Sequence, residues 1–220
     1  MEHDLVVVVA GGEAVAAPPD GAVPPGTPLI AADGGLDRAL ALGLDVRLAV
    51  GDFDSASPAA LAAAEAAGVT LERHPRAKDA TDLELALDAA AALAPRRVLV
   101  LGSGGGRLDH LLAGLLALGS SAYAGLEVDA VLGRATAHVI RGERTLAGEP
   151  GELISLLALH GRAEGVVTDG LAYPLRGETL AAGSSRGVSN VFVAHEARVA
   201  VGRGVLLAIR PGPEQGGEPS

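Results

Sequence analysis

The sequence contains no cysteine and very few aromatic residues. Without cysteine, disulfide bonds and thiolate metal sites are excluded. Aromatic residues make up 2% of the 220 residues and tryptophan is missing, although hydrophobic residues account for 49%. The core must therefore be built from alanine, valine and leucine. A chain of this length can form one large domain or two modest ones, and either can bury a core.

Positive charge is also scarce. The formal net charge is −10, and Lys78 is the only lysine. Phosphate backbones and anionic lipids attract basic patches, so this balance argues against nucleic acid or a membrane as a partner. The acidic N-terminus and the short apolar run after it do not fit a signal peptide, and no run has the length of a transmembrane helix. The sequence predicts a soluble cytoplasmic protein.

Short apolar runs alternate with helical segments over residues 1–142. This alternation predicts an α/β domain with a mostly parallel sheet and helices on both of its faces. One of the helices has a clear start, because Thr81 and Glu84 have the spacing of a capping box. The five predicted strands, whose ends lead into glycine or aspartate, are 5–10, 28–32, 48–50, 69–71 and 98–101.

The pattern changes after residue 142. The polar, glycine-containing segment Glu143–Gly151 is typical of a linker. Short strand-like runs follow without a convincing helix, and they predict a small antiparallel sandwich or barrel over residues 143–212. These runs are 153–159, 165–168, 198–201 and 205–209. Residues 213–220, rich in proline, glycine and glutamate, are predicted to be a disordered tail.

Aspartates lie where the predicted parallel strands end. Asp33 follows the second strand, Asp52 and Asp54 follow the third, and Asp82 opens the helix after the fourth. Parallel strands end at one edge of a sheet, so these carboxylates, together with Asp109 after the fifth strand, are expected to share that edge. Converging carboxylates repel one another, and Mg²⁺ takes oxygen ligands. The set therefore predicts a magnesium site beside phosphate groups, whereas each aspartate alone is better explained as a turn former or helix cap.

Two further polar segments suit ligand binding. Gly102–Gly106 could bring backbone N–H groups to phosphates at a helix N-terminus, although it is neither a Walker A loop nor a clean dinucleotide fingerprint. Arg107 strengthens this interpretation, because a guanidinium group matches phosphate geometry. The segment Gly183–Asn190 carries hydroxyls, an amide and an arginine that suit a small molecule, and it equally suits a solvated hairpin loop.

Taken together, the motifs resemble the thiamine pyrophosphokinase family. They occur in that family's order with similar spacing, and they span nearly the whole chain. The motifs are Ala32-Asp33-Gly34-Gly35, Gly51-Asp52-Phe53-Asp54-Ser55, Asp79-Ala80-Thr81-Asp82, Gly105-Gly106-Arg107-Leu108-Asp109-His110 and Ser189-Asn190. The resemblance implies an N-terminal α/β domain, a C-terminal β-sandwich and a homodimer with active sites at the subunit interface. It also implies transfer of pyrophosphate from ATP to the hydroxyl of thiamine.

The family's functional residues carry over to this chain by motif match. The resemblance assigns catalytic roles to Asp52, Asp54, Asp82 and Asp109, with Mg²⁺ held by Asp52, Asp54 and Asp82. It assigns ATP binding to Asp33, Gly34, Lys78, Asp79, Thr81, Gly105 and Arg107. It assigns thiamine binding to Ser189 and Asn190. Phe192, two residues beyond, is the best candidate among the few aromatic residues for a stacking contact with thiamine, although burial in the core is the simpler explanation for it.

Two alternatives remain open at this point. One is a magnesium-dependent diphosphokinase that acts on another small alcohol, because the chain has few aromatic faces to grip the rings of thiamine. The other is a module that binds nucleotide or thiamine without turnover. The many carboxylates beside a phosphate site argue against a pure binding module.

Overall fold

The computed structural model describes residues 4–12, 18, 21–102 and 106–212. The chain forms two compact units. The first consists of Met1–Leu118 and Gly125–Gly133, and the second of Gly119–Ala124 and Arg134–Ser220. Within the described ranges, no helix has the length and apolar character needed to cross a membrane.

The first unit is a parallel α/β sheet. Its strands are β1 (Leu5–Val9), β2 (Leu29–Ala32), β3 (Leu48–Gly51), β4 (Thr70–Arg73), β5 (Arg97–Gly102) and β6 (Glu127–Leu132). Its helices are α1 (Gly35–Ala41), α2 (Pro58–Ala66), α3 (Asp82–Ala92) and α4 (Leu108–Leu118). The strand order is β4-β3-β2-β1-β5-β6, and these neighbours pair in parallel. All five strands predicted for this unit are present, and β6 is an additional one.

The sheet is buried on both faces, which explains why its strands are continuous apolar runs. Val7 and Val9 lie in a core cluster that also contains Leu36 of α1 and Ala60 of α2. The intervening side chains of β1 point to the opposite face, because successive residues of a strand alternate. Leu87 of α3 is buried outside that cluster, and α3 packs on β1, β2 and β3. Helices therefore lie on both faces.

The strand order of the sheet reverses its direction at β1, and this reversal leaves a place for a ligand. β1 lies between β2 and β5, so the chain builds the sheet outward in both directions from this point. In open α/β sheets, ligands bind beyond the carboxyl ends of the strands at such a reversal. The backbone is tightly packed here, since a Cβ atom on Gly35 would lie 2.1 Å from the carbonyl oxygen of Val9.

The second unit is built from antiparallel strands and a short 3-10 helix at Ser121–Tyr123. The strands are β7 (Ala135–Ile140), β8 (Glu143–Ala147), β9 (Leu153–Asp169), β10 (Arg176–Leu180), β11 (Asn190–Val191), β12 (Glu196–Ala200) and β13 (Arg203–Arg210). The long strand β9 pairs with β13 through its first half and with β10 and β12 through its second half. Residues from both halves share one core, which includes Leu156 and Val166.

Several expectations for the second unit require correction. The predicted linker Glu143–Gly151 is wrong, because Glu143–Ala147 is strand β8 and pairs with β12. The polar residues of this strand gave the segment the pattern of a linker, although Leu146 within it is buried. The runs 153–159 and 165–168 are one strand, in which His160 and Gly161 adopt positive φ angles of 55° and 135°.

The division between the units differs from the predicted boundary after residue 142. Strand β7, placed in the first domain by the sequence analysis, belongs to the second unit. It pairs with β13 in antiparallel fashion, unlike the strands of the first unit. The predicted disordered tail, 213–220, lies outside the described residues.

Candidate active site

Three aspartates meet at the carboxyl edge of the first unit's sheet. Asp33 directly follows β2, Asp52 directly follows β3, and Asp82 is the first residue of α3. One carboxylate oxygen from each lies within 4.8 Å of the other two. We call Asp33, Asp52 and Asp82 the aspartate cluster.

Strained turns position the first two members of this cluster. Asp33 and Phe53 have φ angles of 44° and 60°, in the left-handed region that residues other than glycine seldom adopt. The Asp33 amide donates a hydrogen bond of 2.8 Å to the Val50 carbonyl, which ties the end of β2 to β3. The Phe53 ring is buried, and the Arg73 guanidinium carbon lies 4.9 Å from its centroid. This ring anchors the turn that presents Asp52.

Gly51 allows the cluster to close. Its φ angle is 147°, which L side chains rarely adopt. A Cβ atom at this position would lie 3.0 Å from both the Asp33 Cβ and the Asp82 Oδ1 atoms. The glycine before the two aspartates is therefore needed for the close approach of neighbouring carboxylates.

A capping box fixes the third member. Thr81 is the N-cap of α3, and its hydroxyl accepts a hydrogen bond of 3.2 Å from the Glu84 amide. In return, the Glu84 carboxylate accepts from the Thr81 amide at 2.9 Å. The predicted capping box is confirmed. It holds the first turn of the helix and thereby the carboxylate of Asp82.

Lys78 lies between two of the carboxylates. Its Nζ atom is 2.9 Å from Asp82 Oδ1 and 3.6 Å from Asp52 Oδ2, and only 13% of its side chain is exposed. The shorter contact is an ion pair, although Asp82 Oδ1 makes no hydrogen bond of normal geometry within the described part of the chain. Both carboxylates raise the pKa of Lys78 against the opposing effect of burial, so its ammonium stays charged.

Asp33 is the most buried member, and its ionised form is the least well compensated. Burial raises the pKa of Asp33 above its usual value, while hydrogen bonds from the backbone N–H groups of Gly34 and Ser55 oppose that shift and the charge of Asp82 adds to it. Its Oδ1 atom is buried and has no hydrogen-bond partner among the described residues.

The residues present fit a divalent metal ion. Asp33 Oδ1 is buried without a hydrogen-bond partner within the described ranges, whereas Asp82 Oδ1, also buried, lies 2.9 Å from the Lys78 ammonium. Such oxygens are costly to bury unless they are paired or coordinate a cation. A set of donors made only of carboxylate oxygens suits Mg²⁺.

Asp54 points elsewhere. It accepts a hydrogen bond of 3.0 Å from the Ser55 hydroxyl and pairs closely with Arg76. These contacts lower the pKa of Asp54, that of Ser55 most strongly. The aspartate cluster thus contains three of the four aspartates from which the sequence predicts a metal site, and the set implied by the family resemblance has Asp54 in place of Asp33. Arg76 and Ser55 were not identified from the sequence: Ser55 stood inside the motif, whereas no spacing pointed to Arg76.

The remaining residues predicted to bind nucleotide lie in different environments. Arg107 and Asp109 are exposed at the start of α4 and form an ion pair of 2.7 Å, which lowers the pKa of Asp109. Gly34 follows Asp33 directly, and Asp79 is exposed in the loop before α3. Gly105 lies outside the described residues.

In the second unit, the side chain of Asn190 makes several hydrogen bonds to the backbone around it. Its side chain is buried; the Oδ1 atom accepts from the amides of Tyr173 (3.0 Å) and Val191 (2.9 Å), and Nδ2 donates to the Tyr173 carbonyl (2.8 Å). The adjacent Ser189 is exposed with a φ angle of 57°, and its amide donates to the Ser155 hydroxyl. Asn190 therefore holds the backbone at Tyr173, whose side chain is 61% exposed.

Phe192, predicted as a stacking contact, is placed in the core. The ring is 1% exposed and belongs to the core cluster of this unit. It packs so closely over Gly148 that a Cβ atom there would lie 2.7 Å from the ring. Neither face is open to a ligand within this unit. The exposed aromatic residue beside Asn190 is Tyr173, which the sequence analysis did not single out.

Comparison with known proteins places both units in one family. Residues 27–128 match the family model described as thiamin pyrophosphokinase, catalytic domain. Residues 137–206 match the model described as thiamin pyrophosphokinase, vitamin B1 binding domain. Together the two matches cover most of the chain, and the main division between the compact units, after Gly133, falls in the gap between them.

Individual relatives agree with these matches. The chain is 27% identical over 182 residues to the thiamine pyrophosphokinase of Bacillus subtilis, covering 80% of this chain and 85% of the relative. A crystal structure of thiamine pyrophosphokinase from the same organism superposes with a TM-score of 0.82 at 26% identity, covering 96% of this chain and 100% of that one. Thiamin pyrophosphokinase from Candida albicans shares the fold, with a TM-score of 0.78 at 15% identity over 95% and 89% of the two chains.

Proposed function

The chain belongs to the thiamine pyrophosphokinase family, and from this we propose that it transfers a pyrophosphoryl group from ATP to the hydroxyl of thiamine. The products are thiamine diphosphate and AMP. The observation that carries the proposal is the aspartate cluster, in which Asp33 Oδ1 is buried without a hydrogen-bond partner among the described residues. It lies at a strand edge of the unit that matches the family's catalytic domain.

The proposed reaction balances without any further reactant. The hydroxyl oxygen of thiamine forms a bond to the β-phosphorus of ATP, and the bond from that phosphorus to the oxygen of the departing AMP breaks. The hydroxyl proton is released. Transfers of this kind depend mainly on positioning and on stabilisation of the charge that develops on phosphate oxygens.

Asp33, Asp52 and Asp82 are the residues that would hold Mg²⁺. When bound, a divalent ion neutralises the charge of the triphosphate. Lys78 supplies a second positive charge within the same cluster. Asp54 orients Arg76, a guanidinium group suited to phosphate oxygens. The Arg107–Asp109 pair places another guanidinium group at the start of α4.

The second unit would supply the acceptor side. Its match to the vitamin B1 binding domain supports thiamine over another small alcohol. We assign the exposed Ser189 to acceptor contact and the buried Asn190 to holding the loop that carries Tyr173. The Tyr173 ring offers an exposed aromatic face for a thiazolium or pyrimidine ring.

We also propose a homodimer. Leu108, Leu112 and Leu116 are spaced four residues apart on α4, so they share one face of the helix. They are 76%, 55% and 40% exposed. A row of exposed leucines on a helix is typical of a surface that is covered by a partner, and a second copy is the partner that the family resemblance implies. A cytoplasmic location stays a prediction.

The direct test is an acceptor panel. The purified protein is incubated with ATP and Mg²⁺ and with thiamine or other small primary alcohols, and nucleotides and esters are separated by chromatography. We expect AMP and thiamine diphosphate when thiamine is the acceptor, and no AMP with the other alcohols. AMP formed only with another alcohol would show that this alcohol, and not thiamine, is the acceptor. Binding of ATP and thiamine without AMP from any acceptor would indicate a module without turnover.

A further inference from the structure

Lys78 occupies the position in which a cation of the aspartate cluster is expected. Its ammonium contacts Asp52 and Asp82 at 3.6 and 2.9 Å, and the side chain is largely buried. Among the described residues it is the basic group that forms an ion pair with the cluster. Arg76, two residues earlier, is 79% exposed and pairs with Asp54 instead.

One oxygen of Asp82 both contacts the Lys78 ammonium and lies where a metal ion would bind. Asp82 Oδ1 is the atom nearest to Lys78 Nζ, and it is also one of the two buried oxygens without a hydrogen bond of normal geometry among the described residues. A metal ion binds a carboxylate oxygen at about 2.1 Å. An ammonium group 2.9 Å from that oxygen would then face a doubly charged ion at close range, where like charges repel strongly.

Building on the proposed function, we propose that Lys78 is an exchangeable counter-ion: its ammonium pairs with Asp52 and Asp82 before substrate binds, and it moves from these carboxylates to the phosphate oxygens when the nucleotide binds with its metal. The exchange keeps a positive charge beside Asp52 and Asp82 in both states. A lysine suits this role, because it is a point charge on a flexible four-carbon stem. Its segment, between β4 and α3, contains exposed neighbours such as Pro75 and Ala77 that do not hold it in the core.

The exchange makes a prediction that a purely supporting role does not. Removing the ammonium removes a competitor, so metal binding to the nucleotide-free protein should become tighter. Removing it also removes a phosphate contact, so nucleotide binding at saturating metal should become weaker. A residue that only supports the fold would weaken both.

The test is Mn²⁺ binding to the full chain without nucleotide, measured by isothermal titration calorimetry. We expect Lys78→Met to bind Mn²⁺ about tenfold more tightly than the wild type, which corresponds to ~1.4 kcal/mol. Lys78→Arg, which keeps the charge, should bind like the wild type. Arg76→Met is the matched control: it removes the same charge from a pair with Asp54, outside the cluster, and should change Mn²⁺ affinity much less.

A second titration follows the other half of the exchange. The probe is α,β-methylene-ATP, which lacks the bond that is cleaved, at saturating Mn²⁺. We expect its affinity for Lys78→Met to fall, in the opposite direction to the metal affinity. Should Lys78→Met fail to fold, Lys78→Gln takes its place in both titrations.

The outcomes separate this proposal from the proposed function. Equal or weaker Mn²⁺ binding by Lys78→Met, with binding lost in Asp82→Asn, overturns the exchange and leaves the metal site standing. Absence of Mn²⁺ binding from both the wild type and Lys78→Met removes the metal site itself. Equal gains in Mn²⁺ affinity for Lys78→Met and Arg76→Met would show that removing any nearby positive charge has the same effect. This result would also overturn the exchange.

Discussion

At the scale of single residues, the burial of the Asp33 carboxylate destabilises the folded protein and favours binding of a cation. A carboxylate whose pKa is raised on folding destabilises the folded state once it is ionised. That destabilisation is missing at low pH, where the group is protonated in both states. It grows as the pH rises above the ordinary value of 3.8 and is complete above the raised value.

Asp33→Asn should therefore stabilise the metal-free protein at neutral pH. Asparagine keeps the shape of the side chain and tolerates the positive φ angle at this position. We expect a higher melting temperature than that of the wild type at pH 7 without metal, with the difference vanishing near pH 4. Calorimetry across this range checks it. A variant less stable than the wild type at pH 7 would show that the carboxylate is well compensated.

The carboxylate of Asp82 has a different expected role, since it is directly accessible to a cation beside Lys78. Asp82→Asn should lower kcat/KM by about 10²–10³-fold, the loss seen when one group that stabilises transition-state charge is removed. Steady-state kinetics with the far-ultraviolet circular dichroism spectrum as a folding control measure this. Activity within a few-fold of the wild type would exclude Asp82 from the site.

At the scale of elements, helix starts connect stability to the site. Two helices have comparable N-caps: Thr81 caps α3 and accepts from Glu84, and Ser57 caps α2 and accepts from Ala60. Replacing either by alanine should destabilise the protein by ~1 kcal/mol. In a chain of this size, that is a fall in melting temperature of about 2–4 °C.

The two caps should differ in their effect on catalysis. Only α3 carries a cluster aspartate, so Thr81→Ala should also lower kcat/KM, whereas Ser57→Ala should lower stability alone. Thr81→Ser, which keeps the cap, should restore both. Equal kinetics for Thr81→Ala and Ser57→Ala would mean that the capping box does not position Asp82.

The exposed leucines of α4 give a second prediction at this scale. Leu112→Asp places a charge in the middle of the leucine row and should convert the proposed dimer to a monomer, because burying an unpaired charge is strongly unfavourable. Ala113→Asp puts the same charge on the neighbouring, already exposed position and serves as the control. Light scattering after size-exclusion chromatography gives the mass. A monomeric wild type, or a dimeric Leu112→Asp, would rule out this helix as the interface.

At the scale of the whole molecule, the sequence was most informative where local and tertiary signals agree. The parallel unit could be predicted because strands buried on both faces are continuous apolar runs, as in Leu5–Val9, and because helices begin at clear caps such as Ser57 and Thr81. The convergence of Asp33, Asp52 and Asp82 followed from one rule, that parallel strands end at one edge.

The antiparallel unit was harder to predict for physical reasons. Half-exposed strands such as β8 carry polar residues at alternate positions and resemble linkers. The continuity of β9 across His160 and Gly161 depends on its partners β13, β10 and β12, which all come later in the chain. The side-chain direction of Asp54 depends on Arg76, and that of Phe192 on the space left by Gly148. None of these contacts leaves a local pattern.

The central claim is that the aspartate cluster supports pyrophosphoryl transfer from ATP to thiamine, and phosphorus NMR of the complete reaction tests it most directly. With wild-type protein, Mg²⁺, ATP and thiamine, we expect AMP and thiamine diphosphate to appear in equal amounts without ADP, and we expect Asp82→Asn to form both about 10²–10³-fold more slowly. ADP with thiamine monophosphate, or undiminished turnover by Asp82→Asn, would contradict it.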